Sequence, residues 1–118
     1  MPPAPYTCLS IDQAMAFIGD MAGVLGLLGT LQSSLEHDLP EIEARLAAGN
    51  LGGANELLHQ LKGFAPVFCV QDLVAEVIAV EGLSKQTEIG PVRAAYAQLA
   101  PRLQQLLAEV RAHRAAQA

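Results

Sequence analysis

A chain of 118 residues is long enough for one domain around one core and too short for two of ordinary size. Its 52% hydrophobic content is carried by Ala and Leu, with 4% aromatic residues and no Trp, a composition suited to helices packed on helices. Val and Ile form no alternating run, which excludes an evident sheet. The net charge of −5 and the scatter of seven Lys and Arg residues exclude the concentrated basic surface that nucleic acid requires, so proteins are the expected partners.

The chain begins MPPAPY, and its first basic residue is Arg45, so the positive region of an export signal is missing and a cytoplasmic location is expected. Residues 1–9 are expected to form a flexible tail. Ser10 and Gln13 make a capping-box arrangement that opens a short helix ending near Gly19. Asp20 caps a second, longer helix, in which Val24, Leu28, Leu31, Leu35, Leu39, Ile42 and Leu46 recur at spacings of four and three and form one apolar seam. The apolar run from Met21 to Leu31 is broken by three glycines and falls short of the ~20 residues that cross a bilayer, so membrane insertion is not expected. Pro40 projects away from the seam and predicts a bend without a chain reversal. The charges from Glu36 to Glu43 read as a solvated helix face.

Gly49 supplies a stop and Asn50 a cap for a third helix, which the Pro66 to Cys69 region weakens or ends. A fourth helix, about Gln71 to Leu83, carries Leu73, Val74, Val77, Ile78 and Val80, a stripe broad enough to imply deep burial. Ser84 to Glu88 reads as a polar turn, with Lys85 a loop charge. Pro91 fits the first turn of a last helix bearing Val92, Tyr96, Leu99, Leu103, Leu106 and Val110, kinked at Pro101. Residues 114–118 lack the stripe and are expected to fray. The expected fold is all-α, an antiparallel four-helix bundle over residues 10–113 with an additional short N-terminal helix. Cys8 and Cys69 lack CxxC spacing and suit a reducing compartment, although a disulfide between them stays open. His37 and His113 have no ligand partner at i+4, so no metal site is expected.

A helical wheel of the third helix, at ~100° per residue, gathers Ala54, Leu57, Leu58, Leu61, Phe64, Ala65 and Phe68 into one arc that faces the core. His59 falls almost opposite, among Gly52, Asn55, Glu56, Gly63 and Pro66, with Lys62 on the same face at i+3. A lone exposed histidine is usually of no consequence. Here Lys62 offers a cation for an anion attached to the ring, and Gly63, which costs a helix roughly 1 kcal/mol relative to Ala, leaves room for something to approach the backbone.

The stretch His59-Gln60-Leu61-Lys62-Gly63 resembles the H-x-L-K-G motif of histidine-containing phosphotransfer domains, in which the histidine is phosphorylated. Gly49-Asn50 stands where that family usually has Gly-Asp, and Leu73, Val77, Val80 and Glu81 resemble its downstream L-x3-C-x2-L-E pattern. The resemblance spans roughly residues 11 to 112 and departs at Phe64, Pro66 and Cys69, which bear on the end of the helix and on partner preference. It implies a phosphorelay carrier without kinase chemistry of its own, in which His59 accepts a phosphoryl group from the aspartyl-phosphate of a receiver domain and passes it to another receiver. Lys62 would stabilise the phosphoryl group and Gln60 would hydrogen-bond near it. Receiver domains and a hybrid histidine kinase are the implied partners of a monomer, and the Mg²⁺ of the reaction belongs to the receiver. Gly63, Asn55 and Glu56, with Ile11, Met15, Ile18 and Met21 of the first helix and the start of the second, are the expected docking surface. The alternative is a bundle that binds and regulates a receiver or kinase without accepting phosphate.

Overall fold

The computed structural model describes residues 6–86 and 88–117. Five helices follow in order: α1 Ile11–Ile18, α2 Met21–Ala47, α3 Leu51–Phe68, α4 Gln71–Leu83 and α5 Ile89–Gln117. Each of the four longer helices packs against the next, and α5 closes the ring against α2; α1 lies across α2 and α3. The result is the expected all-α four-helix bundle with an extra N-terminal helix, 46 × 23 × 22 Å in extent. Among the described residues no single helix is long and apolar enough to cross a membrane.

The helix ends follow from their local chemistry. Ser10 accepts from the Gln13 amide at 3.1 Å, Asp20 from Gly23 at 2.6 Å and Asn50 from Gly53 at 2.9 Å. Gly19 ends α1 at φ +98°, a conformation that favours glycine, and the chain turns by 114° into α2. The reciprocal half of the expected capping box is not made. The Ser10 amide already bonds the Phe68 carbonyl at 2.7 Å, so the Gln13 side chain reaches the Pro66 carbonyl at 3.0 Å and pins α1 to the end of α3.

All seven seam residues of α2 are buried, and the helix runs through an exposed Pro40. Asp38 departs from the expected solvated face: it is buried, and its carboxylate meets His37 Nδ1 at 2.8 Å. In α3 the expected arc is buried except Phe64, which is half-buried at its margin. The helix continues past Pro66 and ends at Phe68, with Cys69 as its cap. Ile78 of α4 is 48% exposed, contrary to expectation. The stripe follows Leu73, Val77, Val80 and Glu81, leaving Ile78 about 100° from Val77 and on the outer side.

Both expected loose ends are held where they are described. Cys8 and Leu9 are buried, and Leu9 pairs antiparallel with Cys69. The Glu109 carboxylate receives the amides of Thr7, Cys8 and Leu9 at 2.8–3.1 Å, the Thr7 hydroxyl at 2.8 Å and the Gln105 side chain at 2.9 Å. The remainder of the expected tail, residues 1–5, and Ala118 lie outside the described residues. At the other end α5 stays regular to Gln117, because Arg111 binds Glu36 at 2.7 Å, Arg114 binds Gln32 at 2.7 Å and His113 meets the Tyr6 hydroxyl at 3.1 Å. The helix also runs through Pro101 unbroken. Cys8 and Cys69 are free thiols, and burial pushes Cys69 up to about 12.

Burial pushes the Glu109 carboxyl up, but the donors from Leu9, Gln105, Cys8 and Thr7 outweigh it and hold the group below its ordinary value. Its folded pKa is thus depressed relative to the unfolded chain, so its stabilising contribution is full above the unfolded value and is lost as pH falls through the folded one. Glu109→Ala is expected to lower unfolding free energy in urea by about 2–4 kcal/mol at pH 7, since several buried donors lose a charged acceptor. The gap between wild type and Glu109→Gln should narrow below about pH 4. A gap that stayed constant down to pH ~3 would contradict the assignment of a bound carboxylate.

Candidate functional site

The apolar arc of α3 turns inward on Leu57, Leu58 and Leu61, which leaves the His59 side chain 66% exposed on the outer face. Behind the imidazole stands Glu81 of α4, at 1% exposure one of the most buried side chains in the molecule. Its Oε2 lies 3.4 Å from His59 Nδ1 and 3.3 Å from Asn55 Nδ2. Its Oε1 receives Lys62 Nζ at 3.1 Å and Lys85 Nζ at 3.4 Å. Ser84 completes the arrangement: its hydroxyl donates to the Glu81 carbonyl at 2.6 Å and accepts from Asn55 at 2.7 Å.

The electrostatics follow from this geometry. Burial alone would raise the Glu81 pKa, yet the donors from Lys62, His59 and Lys85 hold it below the ordinary value, so the carboxylate is anionic at neutral pH. An anion facing Nδ1 favours the tautomer with a proton there, which leaves the lone pair on Nε2. The contact is long for a hydrogen bond and aligns the ring more than it binds it. The chemical capacity of the site is an exposed imidazole nucleophile, backed by a fixed negative charge and flanked by two ammonium groups.

Of the other expected site residues, Asn55 joins this network, and Lys62, expected beside the imidazole, binds the Glu81 carboxylate. Gln60 is exposed and lies outside the network. Glu56 is exposed and sits 3.7 Å from Arg45, a pairing of small energetic weight. Gly63 is exposed, and a Cβ built there would meet nothing within 4 Å, so packing inside the bundle does not call for glycine at this point. Ile11, Met15 and Ile18 are half-buried against the core, whereas Met21 is 38% exposed. The structure adds Phe17, 61% exposed on α1 and unnoticed in the sequence. Helix α1 flanks the histidine face, because Gln13 binds the carbonyl of Pro66, two turns beyond His59.

Sequence reasoning treated Glu81 as part of a family pattern and Lys85 as a loop charge, and assigned no role to Ser84. A signal was present in that Glu81 falls four residues after Val77, on the buried stripe, where a carboxylate demands cationic or hydrogen-bonding partners.

Comparison with curated proteins and with solved structures finds no match. The family model described as the Hpt domain matches residues 26–113. That span begins within α2, leaves α1 outside, and takes in His59, Lys62, Glu81 and Lys85. With three quarters of its length matched and an exposed histidine on the central helix hairpin, the chain belongs to the Hpt domain family, the histidine phosphotransfer domains of phosphorelays.

Proposed function

We propose that His59 is the phosphoryl carrier, taking the group from the aspartyl-phosphate of one receiver domain and delivering it to the aspartate of another. The observation that carries this reading is the buried Glu81 carboxylate at Nδ1 of an exposed imidazole, which leaves Nε2 as the nitrogen away from that contact. In the forward step the Nε2 lone pair attacks phosphorus, the P–O bond to the receiver aspartate breaks, and the carboxylate leaves with the electron pair. As the P–N bond forms, the ring gains positive charge while Nδ1 keeps its proton, and Glu81 offsets that charge. Lys62 meets the phosphoryl oxygens. The reverse sequence returns the group to an aspartate, with Mg²⁺ and its acidic ligands supplied by the receiver, so catalysis on this side is chiefly positioning and charge.

The docking surface in this reading combines the open backbone at Gly63 with Phe17 and Met21. Ile11, Met15 and Ile18 support that surface from below, because they already pack on the core. Receivers and a hybrid histidine kinase are the partners proposed.

Incubation with a phosphorylated receiver is expected to give an acid-labile, base-stable phosphate on the wild-type chain and none on His59→Gln. A chain that binds the receiver yet never takes up phosphate would instead establish the regulatory binding module. Lys62→Ala is expected to transfer about tenfold more slowly with an unchanged circular dichroism spectrum, as befits loss of one charge from the transition state. For Phe17→Asp the expected result is about tenfold weaker receiver binding by calorimetry, the size typical of losing a well-exposed aromatic anchor; unchanged affinity would remove α1 from the interface.

A further inference from the structure

Asn55 lies one turn before His59 on the same face of α3, and its side-chain amide reaches across to α4. Its nitrogen is 2.7 Å from Ser84 Oγ and 3.3 Å from Glu81 Oε2, the carboxylate oxygen that faces His59 Nδ1. Ser84, 3% exposed, closes the end of α4. Of the four carbonyls left over there, those of Val80, Gly82 and Leu83 take the amides of Ser84, Lys85 and Gln86, and that of Glu81 takes the Ser84 hydroxyl at 2.6 Å. The hydroxyl proton is thereby committed, so Ser84 can only accept from Asn55. Glu81 Oε2, as a carboxylate oxygen, also accepts only. Two acceptors meet the two N–H bonds of one amide, which fixes its orientation with nitrogen toward α4.

We propose that Asn55 and Ser84 are a positioning pair, resting on the reading of His59 as carrier: they hold Glu81 Oε2 against Nδ1, so the ring keeps its proton there and its lone pair on Nε2. The other donors to Glu81 are poorly suited to that task. Lys62 and Lys85 meet Oε1 on long flexible stems, and Lys62 has the arriving phosphoryl group as a second anion to bind. The His59 contact is long, at 3.4 Å, so the ring follows the carboxylate more than it holds it. Asn55 has a short stem, carries no charge for a phosphoryl group to draw away, and is anchored by a buried hydroxyl. It thus acts inside the site, in place of the docking role expected for it.

The test reads the tautomer directly, from the nitrogen NMR shifts of the imidazole in the unphosphorylated protein at a pH where the ring is neutral. Wild type is expected to show Nδ1 protonated and Nε2 bare. Asn55→Ala should move His59 toward the mixed tautomers of an unconstrained ring, and Ser84→Ala should move it in the same direction. The double variant should go no further than Asn55→Ala, because the two side chains act as one unit. Asn55→Asp, of the same shape but with an oxygen facing Glu81, should be no better than Asn55→Ala. In single-turnover transfer from a phosphorylated receiver, Asn55→Ala should be about tenfold slower with receiver affinity unchanged, the scale of losing one hydrogen bond to a charged group. Mixed tautomers in wild type, or populations unchanged in Asn55→Ala, would overturn the positioning role and leave His59 as carrier. Weakened receiver binding with unchanged tautomers would return Asn55 to the docking surface. A tautomer shift in Asn55→Ala combined with no phosphate uptake by wild type would keep the hold on the ring and overturn the carrier.

Discussion

A carboxylate in a helical core must be compensated, and Glu81 is compensated almost entirely from the surface side. Its neighbours along the stripe, Val77 and Val80, are apolar, so the donors it requires come from α3 and from the turn after α4. That need fixes the relative register of α3 and α4: Asn55, His59 and Lys62 occupy successive turns of α3, and all face one buried oxygen pair. Sliding α3 by one residue would turn the donors away and leave a buried charge unpaired, a cost of several kcal/mol. The orientation of His59 is therefore a by-product of solving a solvation problem, and the imidazole is aligned without a dedicated pocket.

Glu109 poses the same problem at the opposite end and is answered differently. Three consecutive backbone amides close on it, together with Thr7 and Gln105. Backbone donors cannot leave without unwinding the segment, so Glu109 serves as a fixed clasp that holds residues 7–9 beside α3 and sets the position of α1. Glu81, in contrast, is met by side chains on flexible stems that can exchange partners. The contrast between backbone and side-chain donors separates a structural carboxylate from one suited to a site whose charge changes during its work.

Much of the architecture was legible in the sequence because it rests on interactions within a few residues. Ser10, Asp20 and Asn50 cap their own helices, and the seam of α2 is a matter of 3.6-residue periodicity. The clasp on Glu109 was not legible, since it joins residues about a hundred positions apart along the chain and carries no periodic signature. Ile78 was misplaced for a related reason. Composition marks it as apolar, whereas its exposure depends on Glu81 taking the buried side of the next turn, a choice made by partners on α3. Within the site, His59, Lys62 and Gly63 were visible as neighbours on one helix face, and Lys85 was not, because its relation to His59 passes through α4.

The division of basic residues extends this reasoning. Arginine offers a planar fork that binds carbonyls and carboxylates in fixed geometry, and here each arginine spans or seals helices, as when Arg93 closes the carbonyl end of α2 with bonds of 2.6 and 2.9 Å to Leu46. Such contacts gain from rigidity. A site that must hold an anion in one state and lack it in another gains from the opposite property, a charge whose donors reorient freely. The placement of both lysines at Glu81, and of the arginines at contacts between helices, follows that difference in chemistry.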